Sequence, residues 1–243
     1  TTLGDIRWQE MFSDPRLQSL IEQGLENNTD LLSAQWRVKE AEATLKSARL
    51  AYLPSFNFAP QGTISSFDGS KAAKSYQLAV AASWEIDIFG RLTNAKRSAQ
   101  AALEQTKSYK QAVRTQLIAT IANSYYTLLL LDKQLVISER TASLWKENVQ
   151  AMQALKKAGL TNEAAVSQSE ANCLSVEASL LTLRQQINEM ENSLSNLLGE
   201  VPQRVERGNL DCQEFPETLS TGVPLALLGN RPDVRQAEYS LEQ

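Results

Sequence analysis

The stretch YQLAVAASWEIDIFGR, from Tyr76 to Arg91, combines two patterns. Up to Ile88 every even position is apolar, while the odd positions are small, polar or acidic. A period of two is typical of a β-strand whose two faces meet different environments. Phe89 and Gly90 end the alternation, and a segment without glycine or proline begins at Arg91. The stretch therefore predicts a strand over 76–88 that leads into a long helix.

A weaker alternation of the same kind lies upstream, from Phe56 to Ile64. A polar loop at 67–74 separates the two runs, which together predict a β-hairpin. The second run exceeds the usual five or six residues and is long enough for a bilayer core, where a tilted strand needs about 9–11 residues. Aromatic residues near the strand ends fit interfacial girdles. Alternation alone also fits a half-buried hairpin of a soluble sheet, so the flanking segments decide.

Two long segments free of helix breakers follow the hairpin. As one helix, residues 91–157 would be about 100 Å long at 1.5 Å per residue. In the next segment, 162–198, apolar residues recur at steps of three and four, which is typical of helices packed nearly in line. We expect two antiparallel helices that meet at a turn at Gly159. Cys173 falls on this apolar seam and is read as a small core residue rather than a reactive thiol.

The chain before the hairpin predicts two further helices. A cap at Ser13-Asp14-Pro15 begins a short one, which Gly24 and the Asn27-Asn28 pair are expected to interrupt. Thr29-Asp30 then opens a second helix, and Pro54 blocks its continuation.

The composition argues against most kinds of enzyme, against a metal site and against binding of nucleic acid. The chain has no histidine, which removes the commonest general base and zinc ligand. Its net charge of -4 gives no electrostatic footprint for nucleic acid, and Cys173 and Cys212 fit no metal-ligand spacing. No cofactor, metal site or catalytic residue is predicted. An enzyme that uses the carboxylates of Glu85 and Asp87 stays as the weakest alternative.

The C-terminus repeats the beginning of the chain at a shift of 203 residues. Residues 228–241 align with 25–38, including leucines, a helix-opening acid and a Trp36/Tyr239 pair. A chain that stops shortly into a second copy is expected to come from a parent with two such units.

Several of these segments, in order and at fitting spacings, resemble TolC-like outer-membrane efflux factors. The closer resemblance is to the lipoprotein branch that serves resistance–nodulation–division pumps. The most specific segments are SWEIDIFGR, which begins at Ser83, and NRPDV, which begins at Asn230. The others are Trp8 with Phe12-Ser-Asp-Pro15, Leu25 to Leu31, Ala51-Tyr-Leu-Pro54 and Ala158-Gly159-Leu160.

The resemblance implies a mainly α fold with a β-hairpin, in which long antiparallel coiled-coil-like helices adjoin two strands of a transmembrane β-barrel. It implies a homotrimer in the outer membrane of a Gram-negative bacterium, with a periplasmic tunnel. Residues 1–223 would form a first repeat and 224–243 the start of a second. Within the first repeat we expect N-terminal and tunnel helices over 1–54, the hairpin over 55–90, the helical hairpin over 91–199 and a connection over 200–223.

The resemblance also implies site residues. The turn at the periplasmic tip would contact an adaptor protein, and the hairpin would turn one face to lipid and the other to an aqueous lumen. Some family members carry an acidic gate residue six positions after the tip glycine, but this chain has Ala165 there, so no gate acid is assigned. The tip residues are Ala158, Gly159, Leu160, Thr161 and Asn162; the lumen-facing residues are Gln61, Thr63, Gln77, Ser83, Glu85 and Asp87; the lipid-facing residues are Phe56, Phe58, Tyr76, Leu78, Val80 and Trp84.

The function implied is that of a passive, non-enzymatic conduit in a tripartite efflux or secretion system, exporting drugs or other small solutes. Its partners would be a periplasmic adaptor (membrane fusion) protein, an inner-membrane pump and outer-membrane lipid, with no nucleic acid. The alternative is a periplasmic helical-hairpin adaptor or tether. Residues 91–198 fit that alternative equally well, whereas the strand at 76–88 and the repeat at 228–241 do not.

Overall fold

The computed structural model describes residues 7–65, 71, 73–213, 229 and 231–242. It confirms a mainly α fold with one antiparallel β-hairpin. Among the described residues, no helix holds an apolar stretch long enough to cross a membrane. The elements are α1 (Trp8–Met11), α2 (Pro15–Asn27), α3 (Thr29–Leu50), β1 (Ser55–Ser65), β2 (Ala73–Ser83), α4 (Arg91–Lys157), α5 (Glu163–Leu197), a 3₁₀ turn (Leu210–Cys212) and α6 (Pro232–Glu242).

The chain divides into two compact units. The first unit comprises Thr1–Leu32 and Ala112–Leu228, and the second comprises Ser33–Gln111 and Gly229–Gln243. The predicted helix 91–157 is found with the same bounds, and the predicted helix 162–198 is found as α5, one residue shorter at each end.

The core of the first unit forms where α2 packs against α4 and α5. Sequence reasoning expected Gly24 and the Asn27-Asn28 pair to interrupt α2. The pair does so, since the helix ends at Asn27, but the prediction for Gly24 was wrong, because Gly24 lies inside the helix. A Cβ atom on Gly24 would collide with Cδ1 of the buried Ile121 on α4. Glycine stands here because two helices approach closely, and not because the chain turns. The most completely buried apolar side chains are Leu17, Ile21, Ile121, Tyr125, Leu128, Leu129, Leu194 and Leu198.

Helices α4 and α5 run antiparallel, as predicted. Polar partners join them at seven-residue steps, and the partner on α5 moves back by seven whenever the partner on α4 moves forward by seven. A slip by one heptad would bring Glu139 opposite Glu177 or Glu191, so the charges favour the observed register. The contacts are Gln153 to Glu170 at 3.1 Å, Lys146 to Glu177 at 2.8 Å and Glu139 to Arg184 at 2.9 Å.

The segment after α5 is irregular, as predicted for the connection that begins at 200, but it is packed rather than loose. Val205 is buried in the core of the first unit. The amide of Gly208 donates to the Tyr125 hydroxyl at 3.1 Å. The part of the predicted connection from 214 to 223 lies outside the described residues.

In the second unit, β1 and β2 pair antiparallel over eleven residues each. The predicted second strand of 76–88 was wrong at both ends, since β2 begins at Ala73 and ends at Ser83. Trp84, Glu85 and Asp87 therefore lie beyond the strand. The chain leaves the sheet there because Asp87 accepts hydrogen bonds from the amides of Leu92 and Thr93, in the first turn of α4.

The repeat also has a structural counterpart. Helix α6 begins at Pro232, 203 residues after the start of α3 at Thr29. This is the shift found in the sequence. The leucine aligned with Leu25, at 228, lies outside the described residues.

Candidate functional site

The turn between α4 and α5 is a Schellman motif. Gly159 has φ of 75°, its amide donates to the Lys156 carbonyl at 3.0 Å, and the Leu160 amide donates to the Leu155 carbonyl at 2.9 Å. The side-chain oxygen of Asn162 then accepts from the Ala165 amide at 3.0 Å and caps α5. These bonds satisfy backbone groups that a helix end leaves open. The tip is therefore a defined turn and not a loose loop.

Leu160 is the outstanding side chain of this turn. In a Schellman motif the residue after the glycine often packs against the last helical turn. Leu160 instead is 74% exposed, and Leu155 is exposed as well. An ion pair between Lys156 and Glu163 closes the base of the turn. The turn therefore exposes one apolar side chain on a backbone that hydrogen bonds and an ion pair hold in place.

The hairpin has two distinct faces. Residues directly opposite each other in an antiparallel pair lie on the same face of the sheet. The register pairs Phe58 with Val80, and Gln61 with Gln77. The predicted apolar set on β1 and β2 thus shares one face and the predicted polar set shares the other. The paired apolar-face positions are Phe56–Ala82, Phe58–Val80, Pro60–Leu78, Gly62–Tyr76 and Ile64–Lys74.

The apolar face has no cover among the described residues. Phe56, Phe58, Tyr76 and Val80 are all largely exposed, and Leu78 is 76% exposed. A row of large apolar side chains on one face of a two-stranded sheet marks a surface that is buried in an assembly or in lipid.

Hydrogen bonds at the root of the hairpin join it to its helices. Nε1 of Trp84 donates to the Tyr52 carbonyl at 3.1 Å, and the Tyr52 hydroxyl bonds to Oγ1 of Thr93 at 3.0 Å. The same Thr93 donates through its hydroxyl to Asp87 at 2.7 Å. Glu85 pairs with Arg91. Sequence reasoning missed this arrangement because it placed Glu85 and Asp87 on a strand; their lumen-facing role stays a prediction.

A second set of apolar side chains follows the long helices outside their shared seam. On α4 they are Leu130, Ile137 and Leu144, and on α5 they are Leu174 and Leu181. All five are more than half exposed and are spaced by seven residues within each helix. A heptad of exposed leucine and isoleucine is the pattern of a helix that packs against another helix. We call these two rows the outer stripes.

A buried polar cluster fixes the connection to the helices of the first unit. Arg207, whose side chain is 8% exposed, pairs with Asp132 on α4 and with Glu191 on α5. The hydrogen bond and ion pair with Asp132, and then those with Glu191, outweigh burial and raise the pKa of the Arg207 guanidinium above its usual value. Two carboxylates on neighbouring helices are thus held together by one cation from the connection.

Tyr125 lies in the same unit and links three segments. Its hydroxyl donates to Asp14, the cap of α2, at 2.5 Å. Burial, and then this hydrogen bond, raise the pKa of Tyr125 to about 12. Burial alone would raise the pKa of Asp14, but hydrogen bonds from Tyr125, Gln213 and the α2 backbone lower it. Because the residues of this cluster lie far apart in sequence, no local sequence pattern predicts it.

The described residues hold no constellation for catalysis or metal binding. No group of three or more metal-ligating side chains occurs among them. Cys173 is a free thiol buried on the α5 seam, in agreement with its interpretation as a core residue.

The structure brings the predicted tip residues together in one turn and places the two predicted sets on β1 and β2 on opposite faces; that one face meets lipid and the other the lumen stays a prediction. It does not place Trp84, Glu85 and Asp87 on the strand. The outer stripes could have been found from the sequence, because their members are spaced by seven residues. The Arg207 cluster could not, because its members lie far apart in the sequence.

Comparisons with known proteins agree with this geometry. Residues 20–200 match the family described as Outer membrane efflux protein. The chain is 30% identical to the pyoverdine export outer membrane protein OpmQ of Pseudomonas aeruginosa, covering 98% of this chain and 53% of OpmQ. It is 28% identical to the cation efflux system protein CusC of Escherichia coli, covering 96% and 52%.

A solved structure shows the same fold. The open state of the MtrE outer membrane channel of Neisseria gonorrhoeae superposes with a TM-score of 0.81 at 27% identity, covering 100% of this chain and 56% of MtrE. The chain spans about half the length of the curated relatives it matches.

Proposed function

The chain belongs to the outer membrane efflux protein family, and on this basis we propose that it supplies one repeat of a channel across the outer membrane of a Gram-negative bacterium. The complete protein would be a passive conduit and not an enzyme, and solutes would leave the periplasm through its closed aqueous path. Residues 1–223 would form the first repeat and 224–243 the start of the second. The observation that carries the proposal is the hairpin with one apolar and one polar face, and the exposed outer stripes of α4 and α5 add to it.

The hairpin supports the membrane part of the proposal. Its apolar face would meet lipid, and its opposite face, which includes Gln61, Thr63 and Gln77, would line water. Alternation of apolar and polar residues along strands is how transmembrane barrels separate lipid from lumen. Two strands leave open edges, so strands from the second repeat and from other subunits would close the barrel.

The outer stripes support the tunnel. The α4–α5 pair buries one seam internally and leaves an apolar row on each helix exposed. Copies of this helical hairpin placed side by side would cover these rows and form a closed helical wall. A homotrimer of two-repeat chains would meet that need.

The tip supports a partner. An exposed Leu160 on a braced turn suits a small contact with the helical hairpin of a periplasmic adaptor, which would in turn join an inner-membrane pump. A contact of this size is weak alone and is strengthened when several copies engage together. The alternative in which this chain is itself the adaptor has no support from the relatives, whose names describe outer-membrane export and cation efflux.

The exported solute is left open by this proposal. Relatives at similar identity are named for pyoverdine and for cations. The described hairpin and tip contain no pocket chemistry that selects between such solutes.

The test uses the complete gene product, returned to a strain that lacks the gene, with efflux measured against a panel of drugs, dyes and metal ions. The wild type should restore export, and Leu160→Asp should abolish it while trimer and outer-membrane levels stay normal. Ala164→Asp is the matched control, because it places the same charge on the first turn of α5, outside the tip. Normal export by Leu160→Asp at normal abundance would remove the tip from the proposal. A wild type that is absent from the outer membrane would overturn the channel itself.

A further inference from the structure

The two helix ends that flank the hairpin are basic. Residues 43–54 and 88–103 contain lysine and arginine but no aspartate or glutamate. The whole chain, by contrast, carries a net charge of -4. Positive charge is therefore concentrated where the helices meet the hairpin. The residues are Lys46, Arg49, Arg91, Lys96 and Arg97.

Four of these five cations have no ion-pair partner in the part of the chain that the structure describes. Arg91 pairs with Glu85, but the other four form no ion pair with any described residue. Lys46, Arg49 and Arg97 are exposed and Lys96 is half-buried. Their charges are thus available to an anion outside the chain. We call Lys46, Arg49, Lys96 and Arg97 the basic collar.

The two acids between β2 and α4 are already engaged. Glu85 is held by Arg91, and Asp87 accepts from the amides of Leu92 and Thr93 and from the Thr93 hydroxyl. Both carboxylates are therefore tied to the start of α4 and are not paired with the collar. Glu42, one turn before Lys46 on α3, forms no ion pair with it, so the collar keeps an excess of positive charge over the acids that flank it.

Beside the collar lies an exposed apolar segment. Beyond the end of β2, the side chains of Trp84, Ile86, Ile88 and Phe89 are all more than half exposed, and Phe89 reaches 96%. Leu53, on the turn after α3, is exposed as well. We call these five residues the apolar skirt. Except for Leu53, it follows the hairpin directly in the chain, after Ser83.

We propose that the collar and the skirt bind the phospholipid layer in which the hairpin sits, with anionic headgroups on the collar and the adjoining acyl carbons against the skirt. The inference rests on the proposed function, because it takes the apolar face of the hairpin to face lipid. The ligand is an anionic glycerophospholipid such as phosphatidylglycerol.

The chemistry of the two parts fits such a boundary. Tryptophan and other aromatic residues favour the layer between headgroups and acyl chains, where one end of the ring is wet and the other is apolar. Lysine and arginine lay their apolar stems along hydrocarbon and keep their charges among headgroup phosphates. Basic residues beside an apolar segment bind anionic membrane surfaces in this way, and each adds about fivefold to the affinity.

The test is lipid retention by the purified complete protein, measured by native mass spectrometry with phosphatidylglycerol or phosphatidylcholine as the probe. The wild type should retain phosphatidylglycerol preferentially, and added salt should reduce that preference. The double variant Lys96→Gln/Arg97→Gln should lower the ratio of bound phosphatidylglycerol to phosphatidylcholine by about 25-fold, since each charge contributes about fivefold. The control Arg140→Gln/Lys157→Gln removes one arginine and one lysine from exposed positions further along α4 that form no ion pair with described residues, and should leave the ratio unchanged.

Two results would overturn the inference. One is a wild type that retains both lipids equally, and the other is a collar variant with the wild-type ratio. Fractionation separates this failure from that of the proposed function. A protein found in the outer membrane without headgroup preference refutes the lipid site alone, whereas a protein absent from the outer membrane refutes the channel proposal.

Discussion

Gly199 ends α5 so close to Asn27 that a Cβ atom on the glycine would stand 2.9 Å from the Asn27 carbonyl oxygen. Like Gly159 at the tip, Gly199 has a positive φ, of 71°, and closes a Schellman motif. The two glycines differ in their surroundings, because an added Cβ at Gly159 would meet nothing within 4 Å. One turn is shaped by backbone conformation alone, and the other also by the close approach of α2.

This difference predicts unequal effects of alanine. Gly159→Ala should lower the free energy of unfolding by about 1–2 kcal/mol, the cost of a left-handed conformation. Gly199→Ala should cost a further 1–3 kcal/mol or so, because the backbone of Asn27 has to move as well. Thermal unfolding followed by circular dichroism would compare the two. Equal losses would contradict this prediction, because they would mean that the backbone of Asn27 moves away at no energetic cost.

Among the cations of the connection, replacement of Arg207 should lower the free energy of unfolding the most. Arg207→Met would leave Asp132 and Glu191 facing each other without a positive charge, and removal of one partner from a buried ion pair costs about 3–5 kcal/mol. Since Asp132 is 38% exposed, we expect the lower part of that range. Arg204→Met is the control, because Arg204 is exposed and forms no ion pair with described residues. Urea unfolding should separate the variants; similar midpoints would contradict the role given to Arg207.

Tyr125 predicts a loss of stability at alkaline pH. Its pKa is raised to about 12 in the folded state from an ordinary value near 10. Folding therefore favours the protonated phenol, and this contribution is complete below about pH 10 and is lost as pH rises towards 12. Tyr125→Phe should be less stable than the wild type at pH 8, and its stability should fall less between pH 9 and 11.5, the range to be followed by urea unfolding. Parallel pH profiles would contradict the assignment.

The outer stripes predict a selective assembly defect. Leu144→Asp should prevent trimer formation, because it places a charge in the apolar row that neighbouring helices would cover. Ser143→Asp is the matched control, since Ser143 is exposed, lies next in sequence and is not a member of the stripe. Native gel electrophoresis of the complete gene product would read the outcome. Trimers of Leu144→Asp at wild-type abundance would exclude this row from the interface.

How far the sequence predicts the structure depends on whether the signal is local. The bounds of α4 were predictable because glycine marks both of its ends and none lies between them. The two hairpin faces were predictable because a period of two needs no knowledge of partners. The end of β2 was not, since Trp84, Ile86 and Ile88 continue the alternation while the hydrogen bonds of Asp87 with the start of α4 break the sheet.

Close approach and long-range pairing were beyond sequence reasoning for the same reason. Glycine often interrupts a helix, but Gly24 instead lies where α2 closely approaches Ile121 on α4. Arg207 lies in the connection, and its partners Asp132 on α4 and Glu191 on α5 are 75 and 16 residues away in the sequence. The turn at Gly159, by contrast, was predictable from sequence, because a glycine followed by a capping asparagine is a local signal.

A hairpin that separates lipid from water can be tested through the accessibility of its two faces in purified outer membranes. Leu78→Cys and Ala79→Cys differ by one position on β2 and lie on opposite faces; both would be made in the complete gene product with Cys173→Ala and Cys212→Ala. We predict that a charged, water-soluble maleimide labels the cysteine at 79 and leaves the cysteine at 78 unlabelled until the membrane is dissolved in detergent. Equal labelling of both positions in intact membranes would contradict a hairpin with one face in lipid and the other in water.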